Sequence, residues 1–251
     1  MPDLDPGHAR GPDAVGAAIA IVGDGRVGRS VAAALRAAGA DVQGPLGRGA
    51  TGDGANLVLL AVPDAEIGAA AARLTPGALV GHFSGATTLE PLAPHEALSI
   101  HPLTTVTGDT SFEGVPAAVA GSTPRALATA RALAERLGMA PFEVAETDRA
   151  AYHAAASIAS NFLVTLEAFA EDLAATARVP RHALEPLVRA TVTNWLAYGT
   201  AALTGPIARG DEATVTRQRA AVHERLPERA ELFDALVAAT RDLRARQRGA
   251  S

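Results

Sequence analysis

The sequence predicts an α/β domain followed by an all-α domain. In the first half of the chain, short apolar runs alternate with amphipathic helical patterns, an arrangement typical of βαβ units. From residue 148 onward the strand patterns stop and only helical periodicity remains. We therefore expect a tail at residues 1–14, disordered because of its proline, aspartate and glycine content, and then domains at 15–147 and 148–251.

Strands are expected in the first domain wherever an apolar run is bounded by glycine, proline or polar turn residues. They cover residues 17–22, 41–43, 57–62, 78–83, a run ending at 99–101, 115–120 and 142–144. Helices are expected at residues 27–38, 65–74 and 124–137. The glycine-rich segment 44–54 is predicted to be a loop. Pro102 is predicted to end its strand, because proline cannot continue a central ladder.

The second domain shows only helical patterns. Helices are expected at residues 148–178, 181–200, 212–225 and 228–247. Pro180 and Pro227 separate neighbouring helices, because proline has no backbone N–H with which to continue one. Residues 203–211 are predicted to form a loop because of their glycines and proline.

The composition excludes several classes of mechanism. All 22 basic residues are arginine, and the chain has no lysine and no cysteine. Schiff-base chemistry, a P-loop lysine, a thiol nucleophile, thiolate metal sites and disulfides are therefore excluded. The seven histidines remain as the carriers of acid–base chemistry near neutral pH.

Charge and hydropathy restrict the partners. The net charge is −5, from 22 basic and 27 acidic residues, whereas a nucleic-acid footprint would show clustered positive charge. The chain has no apolar run long enough to span a membrane. The N-terminus lacks the basic-then-apolar pattern of a secretory signal. We therefore expect a cytoplasmic protein whose partner is a small molecule, with neither nucleic acid nor membrane involved.

A glycine motif lies between the first strand and the first helix. In that position the pattern Gly-x-Gly-x-x-Gly predicts a dinucleotide site, because its glycines permit a tight turn, close approach of a pyrophosphate and close helix–strand packing. The helix N-terminus then faces the anion. We expect cofactor contacts from Gly23, Gly25, Arg26, Val27 and Gly28. The predicted fold is thus an N-terminal Rossmann dinucleotide-binding domain followed by an all-α C-terminal domain.

The second strand bears on the choice of cofactor. NAD-binding domains carry an acidic residue about 20 residues after the motif begins, where it binds the ribose 2′-hydroxyl. Here that position holds Gln43, and Asp41 lies too early in the strand. Arg48 could accept a 2′-phosphate, so we expect NADP and keep NAD as the alternative. The other interpretation of Arg48 is an ordinary surface arginine.

Compact polar segments follow three further strands. Ala61, Val62 and Pro63 end the most apolar strand, and Ser84 and His101 follow two others. The carboxyl ends of parallel strands meet at one edge of a sheet, and ligands bind there. We therefore expect these residues to face the dinucleotide, with the nicotinamide near Pro63 and Ser84.

The helix that begins the second domain carries polar residues on an alanine-rich background. His153, Ser157, Ser160 and Asn161 follow the spacing i, i+4, i+7 and i+8, which places them on one face of an α-helix. A polar stripe on an apolar helix needs a ligand or another polar element. The structural alternative is that these side chains bond a neighbouring helix or loop.

Residues farther along the chain are candidates for binding a substrate carboxylate. They are Asn194, Thr204 and Arg209, of which Arg209 lies in a glycine-flanked segment suited to bidentate binding. The alternative is that Arg209 and Asp211 brace a turn between two helices.

A metal site is the remaining possibility for the histidines. His82, His101 and His153 could converge, but the sequence has no His-x-x-x-His or carboxylate-bearing ligand motif beside them. We therefore expect no metal.

These motifs together resemble a known family of Rossmann-like proteins whose helical C-terminal half is a domain of unknown function, DUF2520. The resemblance covers residues 15–245 and implies a nicotinamide-dependent oxidoreductase of the 6-phosphogluconate-dehydrogenase-like group. That group includes ketopantoate reductases, pyrroline-carboxylate reductases, prephenate dehydrogenases and hydroxyacid dehydrogenases. The resemblance also implies a homodimer formed through the helical domain. It rests on the segments Gly23–Gly28, Ala61–Asp64, His82–Gly85, His101–Pro102, Tyr152–Asn161 and Leu203–Asp211.

The sequence departs from this group at one position. Ketopantoate reductases and hydroxyacid dehydrogenases resemble one another in a Lys-x-x-x-Asn pair on the first helix after the Rossmann domain. Asn161 matches the asparagine, and Ser157 stands where the lysine is expected. The proton donor must therefore differ. His153, one turn earlier, is the best candidate, and His101 is its competitor because prephenate dehydrogenases carry a similar His-Pro after a strand.

The resulting hypothesis is an NAD(P)H-dependent oxidoreductase that reduces a small, ketopantoate-like 2-oxo acid, with a histidine as proton donor. Asn161 and Ser157 would orient the carbonyl, and Arg209 would hold the carboxylate. The alternatives are an imine reductase, a prephenate-type dehydrogenase and a non-catalytic dinucleotide-binding module.

Overall fold

The computed structural model describes residues 18–108 and 110–249. These residues form two compact units that divide between Ser160 and Asn161. This division differs from the boundary expected near residue 147, because the helix at 149–157 belongs to the first unit. The tail expected at residues 1–14 lies outside the described residues.

The first unit contains a sheet in the order β2-β1-β3-β4-β5-β6-β7. Neighbouring strands from β2 to β5 are parallel, whereas β6 is antiparallel to β5 and parallel to β7. This parallel-dominated sheet confirms the α/β prediction. The strands are β1 Ile19–Val22, β2 Val42–Leu46, β3 Leu57–Leu60, β4 Leu79–His82, β5 Ala97–Pro102, β6 Pro116–Gly121 and β7 Ala140–Glu143.

Helices connect several of the strands and form most of residues 149–249, which confirms the helical C-terminal region. Within the described residues, no helix is both long and apolar enough to cross a membrane. The helices of the first unit are α1 Arg26–Ala37, α2 Ile67–Ala71, α3 Pro124–Arg136 and α4 Arg149–Ser157. Those of the second unit are α5 Leu163–Thr176, α6 Glu185–Tyr198, α7 Gly205–Arg209, α8 Glu212–Arg225 and α9 Ala230–Gly249.

The most apolar strands, β1 and β3, lie inside the sheet, and both of their faces are covered. Every residue of β1 and β3 is buried. Alternate side chains of a strand point to opposite faces. Ile19 and Ile21 therefore enter a core with α1 and α3, whereas Ala20 and Val22 enter a core with α2. Continuous hydrophobicity is what a parallel strand covered on both faces requires.

Two strands run farther than the sequence predicts. Strand β2 continues through residues 44–46, part of the expected loop, because Leu46 pairs with Val22 after a shift in register. Gly44 permits this with a φ of +101°, and a Cβ there would lie 2.6 Å from the Ile21 carbonyl oxygen. Strand β5 includes Pro102, which was expected to end the ladder. The pairing with β4 reaches only Ser99, so the proline falls where β6 is the paired neighbour.

The helical region departs from the predicted pattern in two places. The single helix expected at 148–178 is interrupted by a π-helical turn, Ile158–Phe162, between α4 and α5. The loop expected at 203–211 contains the short helix α7, which begins with Gly205 and Pro206 and ends at Gly210 in a left-handed conformation. Glycine and proline thus mark the two ends of this helix rather than an irregular loop.

Strand β4 ends in a completely buried histidine, His82. Its Nδ1 accepts the backbone N–H of Ser84 at 3.1 Å, and its Nε2 lies 3.1 Å from the carbonyl oxygen of Thr88. Both contacts are hydrogen bonds when the ring is neutral and Nε2 carries the proton. Burial lowers the pKa of His82 to about 4, which keeps the ring neutral in the folded state.

Acidification is expected to destabilise the fold through His82. In the unfolded chain the pKa of a histidine is about 6.5, so between that value and the folded pKa of about 4 the unfolded state holds the extra proton. The free energy of unfolding therefore falls as pH falls through this window, with a slope from this group of at most about 1.4 kcal/mol per pH unit. Urea denaturation of the wild type and of His82→Gln across the window measures this slope. The variant should show the shallower dependence, and equal slopes would contradict the assignment.

Candidate functional site

The carboxyl ends of the parallel strands collect the predicted polar segments at one edge of the sheet. Gly23 follows β1, Ala61 follows β3 and Ser84 lies just beyond β4. His101 is the second-last residue of β5. Strand β1 lies between β2 and β3, so the strand order runs in opposite directions on its two sides. Such a switch point leaves a crevice outside the strand ends, where ligands of open α/β sheets bind.

The glycine motif forms a tight turn into α1. Gly23 has a φ of +113°, and a Cβ there would lie 2.3 Å from the carbonyl oxygen of Ala61. A Cβ on Gly28 would lie 1.9 Å from the carbonyl oxygen of Gly23, so the helix can pack on the turn only with glycine there. At Gly25, in contrast, a Cβ would meet no atom of the described residues within 4 Å. Two of the glycines are thus required by the fold, and the third leaves space beside the backbone.

That space is continuous with a cavity of about 530 Å³ at the strand ends. All predicted cofactor residues except Gly28 and Ser84 are among the described residues that line it, and so is His101. Gly25 is the N-cap of α1, and the first amides of a helix have no intrahelical acceptor. The open backbone and these amides fit the pyrophosphate of a dinucleotide. The lining residues are Gly23, Asp24, Gly25, Arg26, Val27, Arg48, Ala61, Val62, Pro63, His101, Pro102, Thr104 and Val106.

Ser84 takes part in a turn instead of lining the cavity. Its hydroxyl donates to Asp64 Oδ2 at 2.6 Å and accepts the backbone N–H groups of Ala86 at 3.2 Å and Thr87 at 2.9 Å. The side chain is buried. The hydroxyl is therefore already engaged within the 84–87 turn, and Ser84 shapes the strand edge.

His101 is one of the polar residues of the cavity wall. Its Nδ1 lies 2.7 Å from the hydroxyl of Tyr152 on α4, and the two rings meet edge to face. The ring of His153 lies 6.0 Å from that of His101, between centroids. Burial, together with the smaller effects of the neighbouring His153 and Arg149, lowers the pKa of His101 to about 4. With Tyr152 as donor to Nδ1, the neutral ring carries its proton on Nε2.

A glycine allows this histidine pair to form. A Cβ on Gly85 would lie 2.8 Å from His101 Nε2 and 2.8 Å from His153 Cδ2, so any side chain at residue 85 would displace the two rings. In the sequence, Gly85 stands out only as part of the His82–Gly85 segment. Its role becomes visible only when β4, β5 and α4 are brought together.

Arg149 is the residue that the sequence analysis missed. Only 3% of its side chain is exposed, and Nε donates to Glu146 Oε1 at 2.9 Å. Its Nη1 donates to the carbonyl oxygens of Ser84 at 3.2 Å and Thr87 at 3.0 Å, and its Nη2 donates to the hydroxyl of Ser99. The Glu-x-x-Arg spacing was the available signal, but such a pair is usually a surface pair on a helix.

The polar stripe expected on one helix face is divided. His153 and Ser157 lie on α4 and are half-buried, whereas Ser160 and Asn161 lie in the π-helical turn, where Asn161 is exposed. The wider π-turn changes the angular phase of the residues within it. The four side chains therefore do not share the single face that an unbroken α-helix would give them.

The predicted carboxylate-binding residues belong to the second unit. Asn194 lies on α6, Thr204 precedes α7, and Arg209 ends α7; all three are exposed. Asp211 does not pair with Arg209. Instead its Oδ1 accepts the backbone N–H of Thr214 at 3.0 Å and caps α8.

No group of three or more potential metal ligands occurs in residues 18–108 and 110–249.

No curated protein matches the chain by sequence. Solved structures nevertheless share its fold. Their sequence identities to this chain are low, so the similarity shows the fold alone.

Protein TM1727 from Thermotoga maritima is 23% identical, with a TM-score of 0.77 over 92% of this chain and 99% of that one. A provisionally named NADP oxidoreductase from Bacteroides fragilis is 18% identical, with a TM-score of 0.75 over 91% and 99%. A reductive aminase from Aspergillus terreus, solved in complex with NADPH and ethyl-5-oxohexanoate, is 14% identical, with a TM-score of 0.65 over 92% and 98%.

The family model described as "Domain of unknown function (DUF2520)" matches residues 115–240, which is half of the chain. The match begins just before β6 and ends within α9, so it includes Arg149, Tyr152 and His153 as well as the helical unit. This chain therefore belongs to the DUF2520 family.

Proposed function

We propose that this protein is an NADP-dependent oxidoreductase that reduces the carbonyl group of a small 2-oxo acid. One observation carries the proposal: a single cavity joins the glycine turn at the start of α1 to the imidazole of His101. The first feature suits a dinucleotide and the second suits the polar group of a reacting substrate. The similarity in fold to NADP-linked oxidoreductases supports the same assignment.

The chain's own residues would hold the cofactor at two points. The open backbone at Gly25 and the amides of Arg26 and Val27 receive the pyrophosphate. Arg48 lies two residues beyond the carboxyl end of β2, where the group that recognises the ribose is expected, and its positive charge favours the 2′-phosphate of NADP over NAD. When bound, the reduced nicotinamide supplies the hydride.

The two histidines divide the remaining work. Neutral His101, held by Tyr152, donates a hydrogen bond from Nε2 to the substrate oxygen and polarises the carbonyl. His153 is the proton donor, the role for which the family resemblance makes it the best candidate. Its ring lies beside that of His101 but does not share the hydrogen bond that Tyr152 makes to His101. Ser157 and Asn161 are proposed to orient the carbonyl, and the exposed guanidinium of Arg209, with Asn194 and Thr204, is proposed to hold the substrate carboxylate.

Imine reduction is the second candidate. The observation that favours it is the similarity in fold to the Aspergillus terreus reductive aminase. An iminium carbon already carries a positive charge and needs less help from a general acid. The two functions therefore differ in how strongly they depend on His153.

We also propose that the chain forms a homodimer through its helical unit. Residues 189–200, most of α6, are all exposed, and they include Trp195 at 57%, Leu196 at 72% and Tyr198 at 68% exposure. Large apolar side chains grouped on an exposed helix are typical of a protein interface.

Gly25→Ala is expected to separate cofactor binding from folding. The new Cβ meets no described atom within 4 Å, so the melting temperature should stay unchanged, whereas it occupies the approach to the pyrophosphate. NADPH affinity, measured by fluorescence titration, should fall at least about tenfold, as for a lost charge-assisted hydrogen bond. Gly28→Ala is the contrast, since its Cβ would clash with the carbonyl oxygen of Gly23 and should lower the melting temperature. Unchanged affinity in Gly25→Ala would argue against the pyrophosphate site.

His153→Ala is expected to lower turnover at least about 10²-fold on a 2-oxo acid, the usual scale for a lost general acid. The measurement is NADPH oxidation with a panel of 2-oxo acids and cyclic imines, and the control is His182→Ala, which removes an exposed histidine of the second unit. A loss confined to oxo acids would favour carbonyl reduction. Near-normal turnover on every substrate would remove His153 from the mechanism, and cofactor binding with no turnover by the wild type would favour a non-catalytic module.

Leu196→Glu is expected to convert the dimer into a monomer, because it places a charge among exposed apolar side chains on α6. Light scattering coupled to size-exclusion chromatography measures the mass of each species. Ala238→Glu, at an exposed position on α9, introduces the same charge away from α6 and should leave the dimer intact. A monomeric wild type would contradict the proposed assembly.

A further inference from the structure

The structure supplies a carboxylate at the point where the sequence has none. Arg48 Nη1 lies 2.9 Å from Glu66 Oε1, and the two side chains are 65% and 42% exposed. Glu66 belongs to the short turn after β3, and its backbone N–H donates to the carbonyl oxygen of Pro63 at 2.8 Å. Both Arg48 and Pro63 line the cavity beside the glycine turn. An acidic group and a basic group therefore stand together beyond the end of β2.

Recognition of the cofactor ribose requires one of these two charges. A carboxylate accepts a hydrogen bond from the 2′-hydroxyl of NAD, whereas an arginine accommodates the 2′-phosphate of NADP. The carboxylate normally comes from the end of the second strand, where this chain has Leu46 followed by Gly47 and Arg48. Glu66 reaches the same place from the turn after β3, so its position could not be counted from the glycine motif.

We propose that Glu66 and Arg48 together form the ribose subsite and that Glu66 determines how far NADP is preferred over NAD. This inference rests on the proposed dinucleotide site. When the ribose carries a 2′-hydroxyl, the Arg48–Glu66 ion pair remains intact and the Glu66 carboxylate accepts a hydrogen bond from the hydroxyl. With a 2′-phosphate, Arg48 turns its N–H groups to the phosphate, and the nearby Glu66 carboxylate repels it. One ion pair thus supports binding of either cofactor and moderates the preference for NADP.

Single neutral substitutions of the pair test this assignment. The dissociation constants of NADPH and NADH are measured by fluorescence titration for the wild type, Glu66→Gln and Arg48→Gln, without any need for a substrate. Glu66→Gln should weaken NADH about tenfold, through loss of a hydrogen bond to a charged acceptor, and should tighten NADPH about threefold. Arg48→Gln should weaken NADPH about tenfold or more and change NADH little.

A second exposed ion pair provides the matched control. Arg131 on α3 pairs with Glu143 on β7, at the opposite end of the sheet from β2. Arg131→Gln and Glu143→Gln change the net charge by the same amounts as the test variants and should alter neither dissociation constant. Melting temperatures of all four variants establish that each is folded.

The outcomes separate this inference from the function on which it rests. A wild type that binds neither cofactor would overturn the dinucleotide site itself. A wild type that binds NADPH but not NADH would overturn the shared subsite, and so would a Glu66→Gln variant whose ratio of the two dissociation constants equals that of the wild type. Opposite changes for the two cofactors in Glu66→Gln, absent from Glu143→Gln, would establish it.

Discussion

A buried arginine needs a partner for its charge and acceptors for its N–H groups, and Arg149 finds four acceptors on three segments of the first unit. Glu146 supplies the opposite charge from the turn before α4, the 84–87 turn supplies two carbonyl oxygens, and Ser99 on β5 supplies a hydroxyl. Desolvating a guanidinium is costly unless such bonds are complete. These bonds fix the start of α4 against the ends of β4 and β5.

The same arrangement sets the protonation of the site. Tyr152 and His153 follow Arg149 by about one helical turn, so fixing α4 brings Tyr152 to His101. Burial of the rings and, to a lesser extent, the positive charge of Arg149 lower the pKa values of His82 and His101. The rings of His82 and His101 are therefore neutral near physiological pH, whereas the glycine side offers helix amides and arginines to an anion. This division of charge suits a ligand with a polyanionic end and a neutral reacting end.

Features that depend on local periodicity could be predicted from the sequence. The glycine turn, the apolar strands β1 and β3 and the polar strand ends follow from spacing along one segment. Features that depend on a partner distant in sequence could not. The extension of β2 needs the register with β1, the burial of Arg149 needs β4 and β5, and the pairing of Glu66 with Arg48 needs two separate turns. The π-helical turn at Ile158–Phe162 also escaped prediction, because alanine-rich sequence gives equal support to an unbroken α-helix.

In this chain without lysine, Gly85 leaves the space that two histidine rings need at the strand edge. A lysine could reach a substrate from some distance, because its ammonium group ends a long and flexible side chain. An imidazole is short and rigid, so a histidine must itself stand at the cavity. Here two histidine rings approach the strand edge only because residue 85 has no side chain, and Tyr152 holds one of them by its Nδ1. Gly85, Tyr152 and His153 therefore have to be interpreted as one unit.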